Sequence, residues 1–215
     1  MNATSVRSRR PPKPRESYHH GDLRAALVQA VVEIVAERGL GAVTMAECAK
    51  RAGVSVAAPY RHFANLEALL KGAAESCYAE WIERRAGHHF DASIAREALN
   101  TMHADFFLFA QERPGPFLLV FDSPLRGRSA LVDRWTRDEL DRLVEIVGAL
   151  SGAAPRKCRA TAMGVTALVM GHAMMSLRGF SAVPLDRAAE LAHESMWDMV
   201  EGFTARVAGA KAMAR

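Results

Sequence analysis

The stretch TMAECAKRAGVSVAAPYRHFANLEALL, residues 44–70, decides the fold of this chain. Thr44 stands three residues before Glu47, the spacing at which a hydroxyl and a carboxylate cap a helix reciprocally, and Met45, Cys48 and Ala49 give that helix one apolar face. Gly53 supplies the left-handed residue that ends it. Ser55 then predicts the cap of a third helix barely two turns long, with Pro59 at the end of its first turn, where at most one intrahelical hydrogen bond is lost. Asn65 caps a fourth, in which Leu66, Leu69, Leu70, Ala73, Ala74, Cys77, Tyr78 and Trp81 recur at helical spacing. A helix, a glycine turn and a short second helix have the layout of a helix-turn-helix that reads DNA.

Upstream, Asp22 precedes the stripe Leu23, Ala26, Leu27, Ala30, Val31, Ile34 and Val35, and Gly39 follows, so a first helix is marked at both ends. Downstream, longer helices are predicted at roughly 94–111, 114–122, 129–150, 157–178 and 186–208, separated by breaks that carry Pro or Gly. No alternating strand pattern or internal repeat is found, and the predicted fold class is all-α: an N-terminal helix-turn-helix domain and a larger helical bundle.

The short helix explains its own composition. Val56, Ala57 and Ala58 are small, which lets a backbone approach base edges and thymine methyl groups in the major groove. Arg61 is the one long donor there, able to grip guanine or a phosphate. Tyr60 and His62 offer polar hydrogens to phosphates, and Ser55 and Thr44 open the two helices on the same side. Phe63 is assigned to the core.

These residues closely resemble the N-terminal motif of TetR-family transcriptional regulators: Thr44 at the start of the second helix, Ala49-x-x-Ala52-Gly53-Val54-Ser55 through the turn, then Tyr60-x-His62-Phe63. TyrHisHisGlyAspLeu at 18–23 is similar to the opening of the first helix in one subgroup, and residues 112–124 are similar to that subgroup's short middle helix. The subgroup's Trp-His-Gly element is not intact in Val169, Met170, Gly171, His172. Composition marks a disordered basic arm at 1–16 and a disordered tail at 209–215, and the resemblance implies a DNA-binding domain at 17–77 and a ligand-binding and dimerisation domain at 78–208. It also implies phosphate contacts at Thr44, Tyr60 and His62, a homodimer, and an effector that moves the fourth helix. One departure stands out: where the family usually places a phosphate-gripping lysine, this chain has Leu66.

Residues 1–16 carry Arg7, Arg9, Arg10, Lys13 and Arg15 against Glu16 alone, which accounts for the whole formal charge of +4. Such a proline-rich basic segment is attracted to phosphates and is expected to lie along the DNA in place of the missing lysine. It lacks the apolar run of a secretory signal, and Cys48, Cys77 and Cys158 form neither a disulfide framework nor a metal spacing, so a cytoplasmic protein is expected. The uncharged run 160–177 is read as a buried helix, with no membrane partner. No P-loop, HExxH, GxSxG or dinucleotide fingerprint is present; an enzyme, a cofactor and a metal are not expected.

In the bundle, Ala160, Gly164, Ala167 and Gly171 form a smooth stripe on one helix, and Leu191, Ala192, Ser195 and Met199 a comparable face on the last. Both are candidate dimer surfaces. Methionines and phenylalanines concentrate in the same half, and Met102, Phe106, Phe109, Phe117, Phe121, Met170 and Met174 are the candidate lining of a pocket for an apolar or aromatic effector. The predicted function is a dimeric repressor of a pseudo-palindromic operator on double-stranded DNA, released by that unknown small molecule. A ligand-independent dimeric repressor and a non-specific architectural DNA binder are the alternatives.

Overall fold

A computed structural model describes residues 23–86, 92–122 and 129–213. The basic arm, the proposed cap Asp22 and the first part of the 18–23 motif lie outside the described residues. Within them the chain is all-helical, without a strand, in the order α1 (Leu23–Arg38), α2 (Met45–Arg51), α3 (Leu66–Arg85), α4 (Ala95–Glu112), α5 (Pro114–Phe121), α6 (Ala130–Ser151), α7 (Pro155–Leu177) and α8 (Leu185–Met213).

Local chemistry explains the boundaries. Thr44 Oγ1 accepts the amide of Glu47 at 3.1 Å and Asn65 Oδ1 that of Ala68 at 2.8 Å, so both predicted side-chain caps form. The reciprocal half of the capping box does not: the Glu47 carboxylate is held by Arg38 at 2.8 Å, an ion pair that fastens α2 to α1 instead. Gly53 takes φ 69° and Gly152 φ 62°, each ending a helix in the left-handed region. The last helix, predicted to stop near 208, continues to Met213. Its extra turn is pinned where Lys211 Nζ donates to the Gly152 carbonyl at 2.8 Å, a contact between segments far apart in sequence.

One apolar cluster runs from Leu27 in α1 to Val200 in α8. No seam divides it at 77/78, because α3 crosses that point unbroken, with Cys77, Tyr78 and Trp81 all buried. The thiols of Cys48 and Cys77 are pushed up to about 11 and about 12, chiefly by burial, and both are inert at neutral pH. The joint between the two halves is α5. On one side Phe117 and Leu119 are fully buried; on the other, Gly115 lies so close to α1 that an added Cβ would sit 2.5 Å from the Val32 carbonyl oxygen and 3.1 Å from the Ala36 methyl.

α7 departs from the expectation of a helix covered on most sides. It is long and apolar enough to cross a membrane, yet only 22% of its apolar window is buried. Cys158, Ala162, Val165, Val169 and Ala173 form its single inward face, against α6 and α8. Among the described residues no further helix lies over the rest.

Candidate nucleic-acid interface and ligand cavity

The segment after Gly53 is not the two-turn α-helix that its sequence predicts. Ala58 N donates to the Ser55 carbonyl at 2.9 Å in a tight turn, and a 3-10 turn, Pro59–Arg61, follows. Proline is the cause. An α-helix would send the amide of residue 59 to the Ser55 carbonyl, but Pro59 has none, and that carbonyl is taken by Ala58. Ser55 is therefore not a side-chain cap; Ala58 occupies that position, with helical backbone and no capping bond. Only Phe63 N, bonded to the Pro59 carbonyl at 3.0 Å, restores one α-type link before Asn65 starts α3.

What the segment lacks in helical bonds it gains from two anchors. Pro59 and Phe63 are buried, Phe63 under the Arg24 guanidinium at 4.6 Å from the ring centre. Between and before them the side chains point outward: Ser55, Val56, Ala57, Tyr60, Arg61 and His62 are exposed and Ala58 is half-buried; Thr44, at the start of α2, is exposed as well. Val56 and Tyr60 keep 59% and 55% of their surface, unusual for residues so apolar. The supporting helix is fixed by charge, since Arg51 bonds both oxygens of Glu37 at 2.6 Å and reaches Glu33 at 3.4 Å. Those bonds hold the Glu37 carboxyl below the usual carboxylate range. Leu66 is half-buried against the core and offers the surface no polar group.

The second feature is a partly open cavity of 360 Å³ lined by α3, α4, α6 and α7, with Phe121 of α5 and Met196 of α8. Met102, Phe106, Phe121 and Met170 lie on its wall as expected from sequence. Phe109 and Phe117 do not; they are 1% and 0% exposed, consumed by the aromatic core where Phe109 stacks on Trp81 at 4.8 Å. Met174 lies farther along α7, half-buried and off the wall. The family resemblance puts the end of this helix, α3, near Tyr78 and Trp81, against the pocket, and both line the wall; Arg85, one turn farther along α3, joins them without having been a candidate. The sequence reading left Trp135 and His103 unplaced; both line the wall.

The polar groups of the wall are few and specific. Arg85 is buried, pairs with Glu139 at 2.8 Å and Asp105 at 3.9 Å, and lies over Trp81 at 4.9 Å. His103 is held down to about 4 by burial and by His193, whose ring is 5.3 Å away, and it is a neutral imidazole at physiological pH. No cluster able to hold a metal ion occurs among the described residues.

The proposed dimer surfaces divide. Gly164 and Ala192 serve the chain itself: an added Cβ at Gly164 would meet Met199 Sδ at 2.9 Å, and Ala192 is 0% exposed. Ala160 and Ala167 are exposed, Gly171 faces open space, and Leu191, Ser195 and Met199 are half-buried. The outward face of α7 also includes Met163, 55% exposed.

Residues 27–73 match the model for bacterial regulatory proteins of the tetR family. No curated protein matches the chain in sequence. Among solved structures, a TetR-like transcriptional regulator from Rhodococcus sp. RHA1 is similar at TM-score 0.63 and 18% identity, covering 84% of this chain and 96% of its own. A TetR transcription regulator from Haloarcula marismortui is similar at 0.61 and 15%, covering 84% and 97%. A protein of unknown function from Rhodococcus sp. RHA1 reaches 24% identity at 0.58, covering 86% and 98%.

Proposed function

With an N-terminal domain of the tetR family and a TetR-type fold over most of its length as the premise, we propose that this protein is a sequence-specific DNA-binding transcriptional regulator, not an enzyme, acting in the cytoplasm. The observation that carries the reading is the 55–62 surface: small and polar side chains held outward by two buried anchors, with Arg61 as the long donor among them. In the major groove, Arg61 bonds a guanine edge, while Tyr60, His62 and Thr44 hold the flanking phosphates. Competition binding tests it. The chain should prefer one operator over random DNA by several orders of magnitude. Arg61→Ala should weaken that operator by about 1–3 kcal/mol and relax its preference at one base position. Equal affinity for random DNA would leave only a non-specific binder.

One such surface reads few bases, and the uncovered apolar face of α7 supplies the means to double it. We assign that face, with Ala160, Met163 and Ala167 at its centre, to a homodimer contact that also engages Leu191, Ser195 and Met199 of α8. Two-fold symmetry then sets half-sites about 34–36 Å apart on a pseudo-palindrome. Sedimentation of the full chain at operator-saturating concentration should give a dimer; a monomer contradicts it.

Repression is the proposed mode, relieved by an effector in the α3–α4–α6–α7 cavity. Trp81 and Arg85 at the far end of α3 touch that cavity, while Asn65 and Leu66 at its near end adjoin the DNA-reading segment. A ligand that favours the wrong separation of the two surfaces by a few kcal/mol releases the operator. The arm is assigned the phosphate contact that Leu66 cannot make. Removing residues 1–15 should flatten the salt dependence of operator binding; an unchanged slope refutes that assignment.

A further inference from the structure

Two uncharged polar residues on the wall of the α3–α4–α6–α7 cavity have a hydrogen-bonding atom left unfilled. Trp81 is 2% exposed and His103 9%, and neither Trp81 Nε1 nor His103 Nε2 has a partner. Each such orphan costs about 1–3 kcal/mol, so finding both on the boundary of a single cavity calls for a reason. Their chemistry is complementary. An indole nitrogen only donates, whereas a neutral imidazole has one N–H and one bare nitrogen; the Ala189 backbone favours the proton on the other nitrogen, which leaves Nε2 to accept.

The rest of the wall narrows the choice. Arg85 is already balanced by Glu139 and Asp105, and Glu139 also reaches Arg142 at 3.4 Å, so no uncompensated charge awaits an ionic ligand. A charged molecule would lose its hydration and would have to compete with the ion pairs that Arg85 and Glu139 already make. The rings of Trp81, Phe121 and Trp135 meet edge to face at 6.1–6.5 Å between centres, and Phe106 stands 5.0 Å from Phe121. Such a lining suits a flat apolar body.

We propose that the cavity takes an uncharged, largely aromatic molecule bearing a hydroxyl group, which donates its O–H to His103 and accepts the indole N–H of Trp81. The proposal rests on the reading of this cavity as the effector site and gives that site a ligand class. A volume of 360 Å³ accommodates two or three fused or linked rings.

Calorimetric titration of the full-length chain with 4-phenylphenol, biphenyl and biphenyl-4-carboxylate tests it, since the three share a body and differ only at the polar group. The phenol should bind at least ~10-fold tighter than biphenyl, and the carboxylate weakest, a difference of the size one or two hydrogen bonds supply. His103→Phe and Trp81→Phe should each bring the phenol toward the affinity of biphenyl while leaving biphenyl within about twofold. His103→Gln, which keeps an acceptor, should restore the preference. Thermal melts identify any variant that fails to fold. Equal binding of phenol and biphenyl, tightest binding of the carboxylate, or binding of none of the three overturns the proposal. If the phenol binds with this preference and operator affinity does not change, the ligand class stands and the effector reading falls.

Discussion

Acidification from pH 6.5 to pH 4 should cost the folded chain up to about 3 kcal/mol through His103 alone. The folded state holds this imidazole at about 4, against 6.5 for a free histidine, because burial and the neighbouring His193 disfavour its charge. Between those values the unfolded chain binds a proton that the folded chain refuses. Stability is therefore complete above pH 6.5 and declines as pH falls toward 4. The surroundings set the sign: burial first, then His193 and His172, disfavour the charged ring, and the Ala189 backbone opposes them. Urea unfolding across this range should show the slope in the native protein and a shallower one in His103→Gln. Identical slopes would assign the acid sensitivity elsewhere.

Gly115→Ala should destabilise the protein by about 1–3 kcal/mol, while the same change at Gly164 should cost less than about 1 kcal/mol. Both glycines sit in helices at close approaches, and what they approach decides the outcome. At Gly115 the obstacle is the Val32 carbonyl, backbone of a helix that cannot yield without moving as a whole. At Gly164 it is the thioether of Met199, the free end of a flexible side chain, and alanine's better helix propensity offsets much of the adjustment. Urea midpoints of the two variants decide it; equal losses would refute the argument. Because Gly115 bears on α1, its alanine variant should also weaken operator binding more than its stability loss predicts.

Helix positions and the helix-turn-helix were legible because they rest on local signals: Thr44 and Asn65 as caps, Gly53 and Gly152 as left-handed stops, an apolar stripe at helical spacing on α2 and α3. The 3-10 form of 59–61 was less so, although its cause, a missing amide at Pro59, was in view. The Met213 end of α8 depends on Lys211 reaching Gly152, and no local pattern announces a partner that distant. The same limit governs the cavity. Periodicity says that Phe106, Phe109 and Phe117 turn inward, but only the crossing of α3, α4 and α6 decides that Phe106 meets open space while the other two meet Trp81 and each other. Gly164 illustrates the converse: a smooth stripe announces a close helix neighbour without saying whether it belongs to the same chain.

The shared core of α1 limits how this protein can be recombined. Val31, Ile34 and Val35 are buried in the common core, while Val32 and Ala36 press on α5. A cut after residue 77 severs α3 and strips that second face bare. The head is thus not an interchangeable part: a chimera that joins it to a foreign body should fold only if the donor brings a helix with a glycine opposite Val32.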